Sequence, residues 1–321
     1  MSEQKTSIQL SPEHLPASVA ASTTALVRLR YGAKQLSLFP RLPPRAIMSG
    51  GHRSRFRGRG MDFDEVRPYQ AGDDGRSIDW RVTARTTQTH TKVFREERER
   101  PVMLMADLRQ SMFFGSHKCK SVTTCEVVAA LAWAALNAGD RVGGMVFSPD
   151  EQHDIRARRS HHSVLQLIKT LADTSASLIN RQQDNFTLPQ MLEYTRRVVH
   201  PGSAVVIVSD FHDFDHNAQG HLFELSRRCD LTLCHISDEL DKELPPAGSY
   251  SISDGLRRFT LNTRDSKLRS AFAQRKQEQF TSLEQAASQL RANYLQIGTE
   301  ADLIGLLLSH YGSSAARRRS R

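Results

Sequence analysis

The sequence predicts an α/β protein: a mostly parallel sheet with helices on both faces, preceded by an N-terminal helix and a basic arm. Three observations predict it. From Pro101 onward, short apolar runs alternate with helical stretches, the pattern of a parallel sheet covered on both sides. Two of those runs, VMLMAD (102–107) and SAVVIVSD (203–210), close on an acid. Basic charge gathers at the two ends: nine Lys/Arg and no acid lie between His14 and Met61, and Arg317, Arg318, Arg319 and Arg321 close the chain. Residues 62–316 net −3 within an overall +9.

Composition bounds the answer. Hydrophobic residues at 39% of 321 exclude a collagen-like or wholly disordered chain and allow a core of ordinary size. No run approaches the ~20 apolar residues of a membrane span, so no transmembrane segment is expected. The opening MSEQKTSIQLSPEH lacks the basic-then-apolar order of a signal peptide. Cys119, Cys125, Cys229 and Cys234 are not spaced as zinc-binding pairs and read as reduced thiols of a cytoplasmic protein.

In order along the chain, residues 18–36 read as a helix with Leu26, Leu29 and Ala33 on one face. The Pro/Gly/Arg-rich stretch that follows has no period and reads as an arm. Residues 61–100 are polar and charge-dense. Then come a strand at 102–107, an apolar helix at 118–138 stopped by Gly139, and a strand at 141–147. Helices at 161–173 and 187–199 precede the most apolar strand, 203–210. A helix at 218–229, a strand at 231–237, a long helix at 263–292, a strand at 293–298 and a helix at 300–310 complete the pattern. Four segments result: 1–60, helix and basic arm; 61–100, a charged segment expected to pack on the sheet; 101–312, the α/β domain; and 313–321, a basic tail.

Ligands of such sheets bind beyond the carboxyl ends of the strands, where Asp107 and Asp210 fall. Asp107 opens a D-x-x-x-S turn to Ser111, and Thr187 starts a helix after a polar loop. Two carboxylates and two hydroxyls suit a hard divalent cation such as Mg²⁺; equally, they serve as helix caps. His212, His216 and His221 lack the neighbours that a zinc site needs. A second constellation, Arg67, Tyr69, Gly72, Asp73, Asp74, Arg76, Asp79, Trp80 and Arg85, alternates arginines and acids around a Gly-Asp-Asp-Gly turn. Bidentate Arg–carboxylate pairs, with Tyr69 and Trp80 as apolar anchors, would lock it.

The run RPYQAGDDGRSIDWRVTART, followed by a strand and Asp107 through Ser111, resembles the family called domain of unknown function 58. The resemblance is dense over residues 60–150 and continues as pattern to about 240. It implies a von Willebrand A-like, Rossmann-like α/β fold with a metal-ion-dependent adhesion site. That site asks for Asp-x-Ser-x-Ser, a Thr and an Asp. Asp107, Ser111, Thr187 and Asp210 match by type, but Arg109 holds the place of the middle serine. The implied site is therefore degenerate, with Arg109 replacing the ion or meeting a partner's carboxylate. The resemblance also implies a partner, a MoxR-type AAA+ ATPase, together with other von Willebrand A-type or envelope proteins.

These readings predict a non-enzymatic interaction module: an adaptor or partner of such an ATPase in protein assembly or maturation, cytoplasmic, and held at the inner membrane through its partners. No cofactor is required, Mg²⁺ being the ion the degenerate site would take. One alternative is nucleic-acid binding through Arg53, Arg55, Arg57 and Arg59, which interleave with Phe56 and glycines and suit polyanions. The other is a Mg²⁺-dependent hydrolase, for which no nucleophile or general base is evident.

Overall fold

The computed structural model describes residues 15–37, 61–70, 75–86, 88–96, 101–180, 184–253 and 258–312. The chain divides into two units, one of residues 1–40 and 100–321, the other of residues 41–99. The basic arm, with Arg53, Arg55, Arg57 and Arg59, and the basic tail lie outside the described residues, as do Gly72, Asp73 and Asp74.

The N-terminal helix forms as two short pieces, α1 (Thr23–Arg28) and α2 (Arg30–Ala33). Ser22 caps the first by accepting from the Ala25 amide at 3.2 Å. In the smaller unit, β1 (Met61–Pro68) pairs antiparallel with β2 (His90–Glu96), and α3 (Trp80–Thr86) lies between them in sequence. Asp79 starts α3, its Oδ1 accepting from the Arg81 and Val82 amides at 3.0 and 3.2 Å while Lys92 sits 3.5 Å from its Oδ2. The charge lock around Asp79 is thus a lysine and a helix N-terminus. Trp80, expected as an apolar anchor, is 70% exposed, because α3 turns its first residue outward.

The larger unit carries β3 (Pro101–Asp107), α4 (Lys120–Asn137), β4 (Arg141–Phe147), β5 (Gln152–Arg158) and α5 (His161–Ser177). It continues with α6 (Leu188–Val198), β6 (Ala204–Ser209), α7 (His216–Ser226), β7 (Asp230–Ser237) and α8 (Glu239–Lys242). Then follow β8 (Ser249–Ser253), β9 (Arg258–Asn262), α9 (Ser266–Gln289), β10 (Asn293–Gly298) and α10 (Leu303–Tyr311). Six strands form the central sheet in the order β10-β7-β6-β3-β4-β5. All neighbours are parallel except β5, an antiparallel edge strand that the charged sequence QHDIRAR had hidden. The fold class is the expected one, a Rossmann-like α/β sandwich with a mostly parallel sheet and helices on both faces.

Burial on both faces explains the continuous apolar strands. In β3, Val102, Leu104 and Ala106 join the core under α4 and α5, while Met103 and Met105 join the core under α6 and α7. α4 is the central helix; of its first sixteen residues all but Glu126 are buried. It ends where expected, at Gly139, whose φ of +86° suits a residue without a Cβ. Gly143 answers a different need: a Cβ there would lie 2.7 Å from the Ala157 nitrogen and the Ile155 oxygen, so it lets β5 approach β4.

The N-terminal helices belong to this core. Leu26 is buried in it, its carbonyl accepts from Trp133 Nε1 at 3.3 Å, and the Ala21 amide donates to Ser175 at 3.2 Å. The two-stranded β8–β9 sheet is an addition that the sequence reading did not anticipate.

Candidate functional site

Three parallel strands end on acids, and each acid is engaged differently. At the end of β3, Asp107 is fully buried and accepts from the Arg109 backbone amide at 3.1 Å, a turn that folds the guanidinium back onto the carboxylate. Arg109 Nε donates to Oδ1 at 3.0 Å and Nη2 to Oδ2 at 2.9 Å. The other side of the guanidinium faces Asp213, from the loop after β6, with Nη1 and Nη2 donating at 2.7 and 2.9 Å. Nη1 also donates to the Phe186 carbonyl at 3.3 Å. All five guanidinium donors are therefore used, and the side chain is 1% exposed.

Neighbouring groups complete this centre. Ser209 donates to Asp107 Oδ2 at 2.6 Å, and the Leu188 amide at the start of α6 donates to Asp213 Oδ2 at 2.8 Å. Burial opposes the Arg109 charge, but the two carboxylates outweigh it and raise its pKa. For Asp213 burial pushes the other way, and the guanidinium and the Leu188 amide hold the acid below its ordinary range.

The second centre forms around Lys120, the first residue of α4. Its ammonium donates to Asp210 Oδ2 at 2.8 Å and lies 3.2 Å from Asp241 of α8. Asp210 Oδ1 takes the His212 amide at 3.3 Å and faces His212 Nδ1 at 3.2 Å. Burial opposes both charges, yet each charge stabilises the other: Lys120 is raised and Asp210 lies well below the usual carboxylate range. His212, 40% exposed, also lies 3.6 Å from Asp213 and so bridges the two centres. Burial lowers its pKa, but Asp210 and Asp213 raise it by more.

Asp238, following β7, has hydroxyl and amide partners in place of a cation. It accepts from Thr299 at 2.6 Å, from the Ser116 amide and hydroxyl at 2.9 Å each, and from the Leu240 amide at 3.1 Å. Between Asp210 and His212, Phe211 holds a φ of +49°, uncommon for a side chain of its size. The strained turn is clamped from α9, where Gln279 Nε2 donates to the Phe211 and His212 carbonyls at 3.1 and 2.7 Å.

The ring expected around one cation is thus divided. Asp107 belongs to the Arg109 centre and Asp210 to the Lys120 centre. Thr187 is exposed and caps α6 together with Gln190, whose Oε1 accepts from the Thr187 amide at 2.9 Å. Ser111 keeps a buried Oγ with no hydrogen-bond partner, the one member of the set not otherwise engaged. These residues do not fit a divalent cation as they stand: the oxygens of both acids are taken, and a dication would meet two buried positive charges. Among the described residues, no group of three or more His, Cys, Asp or Glu side chains is placed to hold a metal. The filled guanidinium also has no donor left for a partner's carboxylate.

Sequence reasoning missed Asp213, Lys120, Asp241 and Asp238. Lys120 was signalled, since a lysine opening an otherwise buried helix requires a partner. Asp213 was one acid among several in SDFHDFD and carried no distinguishing mark.

A sequence profile of the family described as "Protein of unknown function DUF58" matches residues 65–282. Uncharacterised proteins of Mycobacterium tuberculosis and Mycobacterium bovis are 30% identical over 240 residues, covering 71% of this chain and 73% of theirs. Among solved structures, the conserved hypothetical protein BatB of Bacteroides thetaiotaomicron aligns with a TM-score of 0.40 at 14% identity, over 69% of this chain and 95% of its own. An aerotolerance-related membrane protein of Bacteroides fragilis aligns with a TM-score of 0.41 at 14% identity, over 69% and 98%.

Proposed function

The chain belongs to the DUF58 family, and from that premise we propose that it is a non-enzymatic protein-interaction module whose ligand-binding end is held together by its own side chains. It would act as the adaptor or partner of a MoxR-type AAA+ ATPase in assembling or maturing other proteins. The observation that supports this reading is the Asp107–Arg109–Asp213 bridge. It ties the loops after β3 and β6 to the start of α6, so the carboxyl end of the sheet is a fixed surface that needs no ion to form it. A preformed surface favours recognition, because little ordering entropy remains to be lost on binding.

The test is co-precipitation of the purified full chain with a MoxR-type ATPase from the same organism, with and without EDTA. Capture in both conditions is expected. A second arm uses His212→Glu, which places an acid at the exposed edge of the site and should weaken capture. Absence of capture in both buffers overturns the adaptor role, and capture lost only in EDTA overturns the metal-independent surface.

A further inference from the structure

We propose that the β8–β9 hairpin and the exposed first half of α9 form a docking surface for an anionic lipid bilayer. The proposal does not depend on the adaptor role. In the hairpin register, Tyr250 pairs with Leu261 and Ile252 with Phe259, so these four side chains share one face. Ser249 and Ser251, opposite Asn262 and Thr260, take the other. Ile252 and Phe259 are 45% and 51% exposed, side by side on a two-stranded sheet, an arrangement that is marginal in water without a further surface to cover it. Leu268, one turn into α9, is 43% exposed. Leu268, Phe272 and Lys276 follow at four-residue spacing on one helix face, with Lys276 Nζ 5.9 Å over the Phe272 ring.

The hairpin is anchored at its base, and its exposed residues lie beyond that anchor. The Thr263 amide donates to the Gly248 carbonyl at 2.9 Å, the Gly248 amide to Thr263 Oγ1 at 3.0 Å, and Tyr250 Oη to the Pro246 carbonyl at 3.0 Å. Arg269, from the first turn of α9, donates to the Thr263 carbonyl.

Charge identifies the occupant. Residues 249–282 hold seven Lys/Arg against three Asp/Glu, a net +4, whereas the rest of residues 62–316 nets −7. Two copies meeting through this face would oppose +4 to +4, so the complement is anionic. A protein groove would need matching shape as well as charge. A lipid surface needs only apolar side chains with cations close by, and Arg258, Arg264, Lys267 and Arg269 neighbour Phe259 and Leu268 in sequence, Arg258 on the opposite face of the hairpin.

The test is sedimentation of the purified full chain with vesicles of mixed phosphatidylglycerol and phosphatidylcholine, and with phosphatidylcholine alone. Binding to the anionic vesicles is expected. The Ile252→Ser/Phe259→Ser double variant, with an unchanged melting midpoint as the control for folding, should bind at least about tenfold more weakly. Arg275→Ser/Lys276→Ser should weaken binding and flatten its salt dependence. Undiminished binding by the double variant overturns the proposal, since the cationic arm and tail would then account for it. Equal or absent binding to the two vesicle types overturns it too, and leaves an acidic protein surface as the occupant.

Discussion

Arg109 and Asp213 stand 104 residues apart in sequence and meet through two parallel hydrogen bonds of 2.7 and 2.9 Å. With Asp107 on the opposite side, one guanidinium is shared by two carboxylates. The arrangement sets one positive charge against two negative ones, with the Ser209 hydroxyl and the Leu188 amide supplying further donors. Removing Arg109 leaves the Asp107 carboxylate buried without a cationic partner, which is where such networks become costly.

Arg109→Met is therefore expected to destabilise the protein by about 3–5 kcal/mol, the usual cost of breaking a buried ion pair. Thermal or urea unfolding measures it. A loss under about 1 kcal/mol would show that the network behaves like a surface pair.

Metal titration separates a replaced ion from a coexisting one. Calorimetry with Mg²⁺ and Mn²⁺ is expected to be silent for the unmodified protein. Arg109→Ser frees the oxygens of Asp107 and Asp213 and supplies the missing middle serine near the unpartnered Ser111. Measurable binding is expected in that variant, and heat from the unmodified protein would show that the arginine and an ion share the site.

His235 predicts an acid-side loss of stability. It is buried, with Nδ1 2.8 Å from the Tyr294 hydroxyl, and burial pushes its pKa down to about 4. The unfolded chain takes up a proton below about 6.5 that the folded chain refuses until about 4, so stability falls as pH drops through that window by about 3 kcal/mol. Unfolding of His235→Phe should show a shallower slope between those limits; an unchanged slope would refute the assignment.

His212 titrates in the opposite sense. Its pKa is raised in the fold by Asp210 and Asp213, so its contribution is complete below the ordinary histidine range and is lost as pH rises through the folded value. Nuclear magnetic resonance of its ring should show a midpoint above about 6.5 that falls in Asp213→Asn.

Gly143→Ala should cost about 1–3 kcal/mol. The added methyl would lie 2.7 Å from backbone atoms of Ile155 and Ala157, which cannot rotate away. Denaturant unfolding measures the loss, and a neutral substitution would show that β5 shifts freely.

How much was legible follows from which forces act locally. β3, β6 and β7 were visible because both their faces are buried, so each reads as an unbroken apolar run. Asp107 and Asp210 were visible because strand ends position them. Asp213 was not, because its meaning lies in Arg109, 104 residues away, and no periodicity connects them. β8 and β9 escaped notice because five-residue strands with outward-facing serines and threonines resemble loop, and β1 and β2 because their charges conceal any alternation.

The clamp from Gln279 has a mechanical consequence. α9 runs unbroken from Ser266 to Gln289, about 36 Å at ~1.5 Å per residue, and its buried side chains Leu283, Ala286 and Ala287 all fall in its last third. It is a shaft seated at one end, with Gln279 as a crank holding the Phe211–His212 backbone just beyond the bearing. Torque applied to the free end, where Leu268 and the hairpin base lie, would reach the strained turn between Asp210 and Asp213 without passing through the core of the sheet.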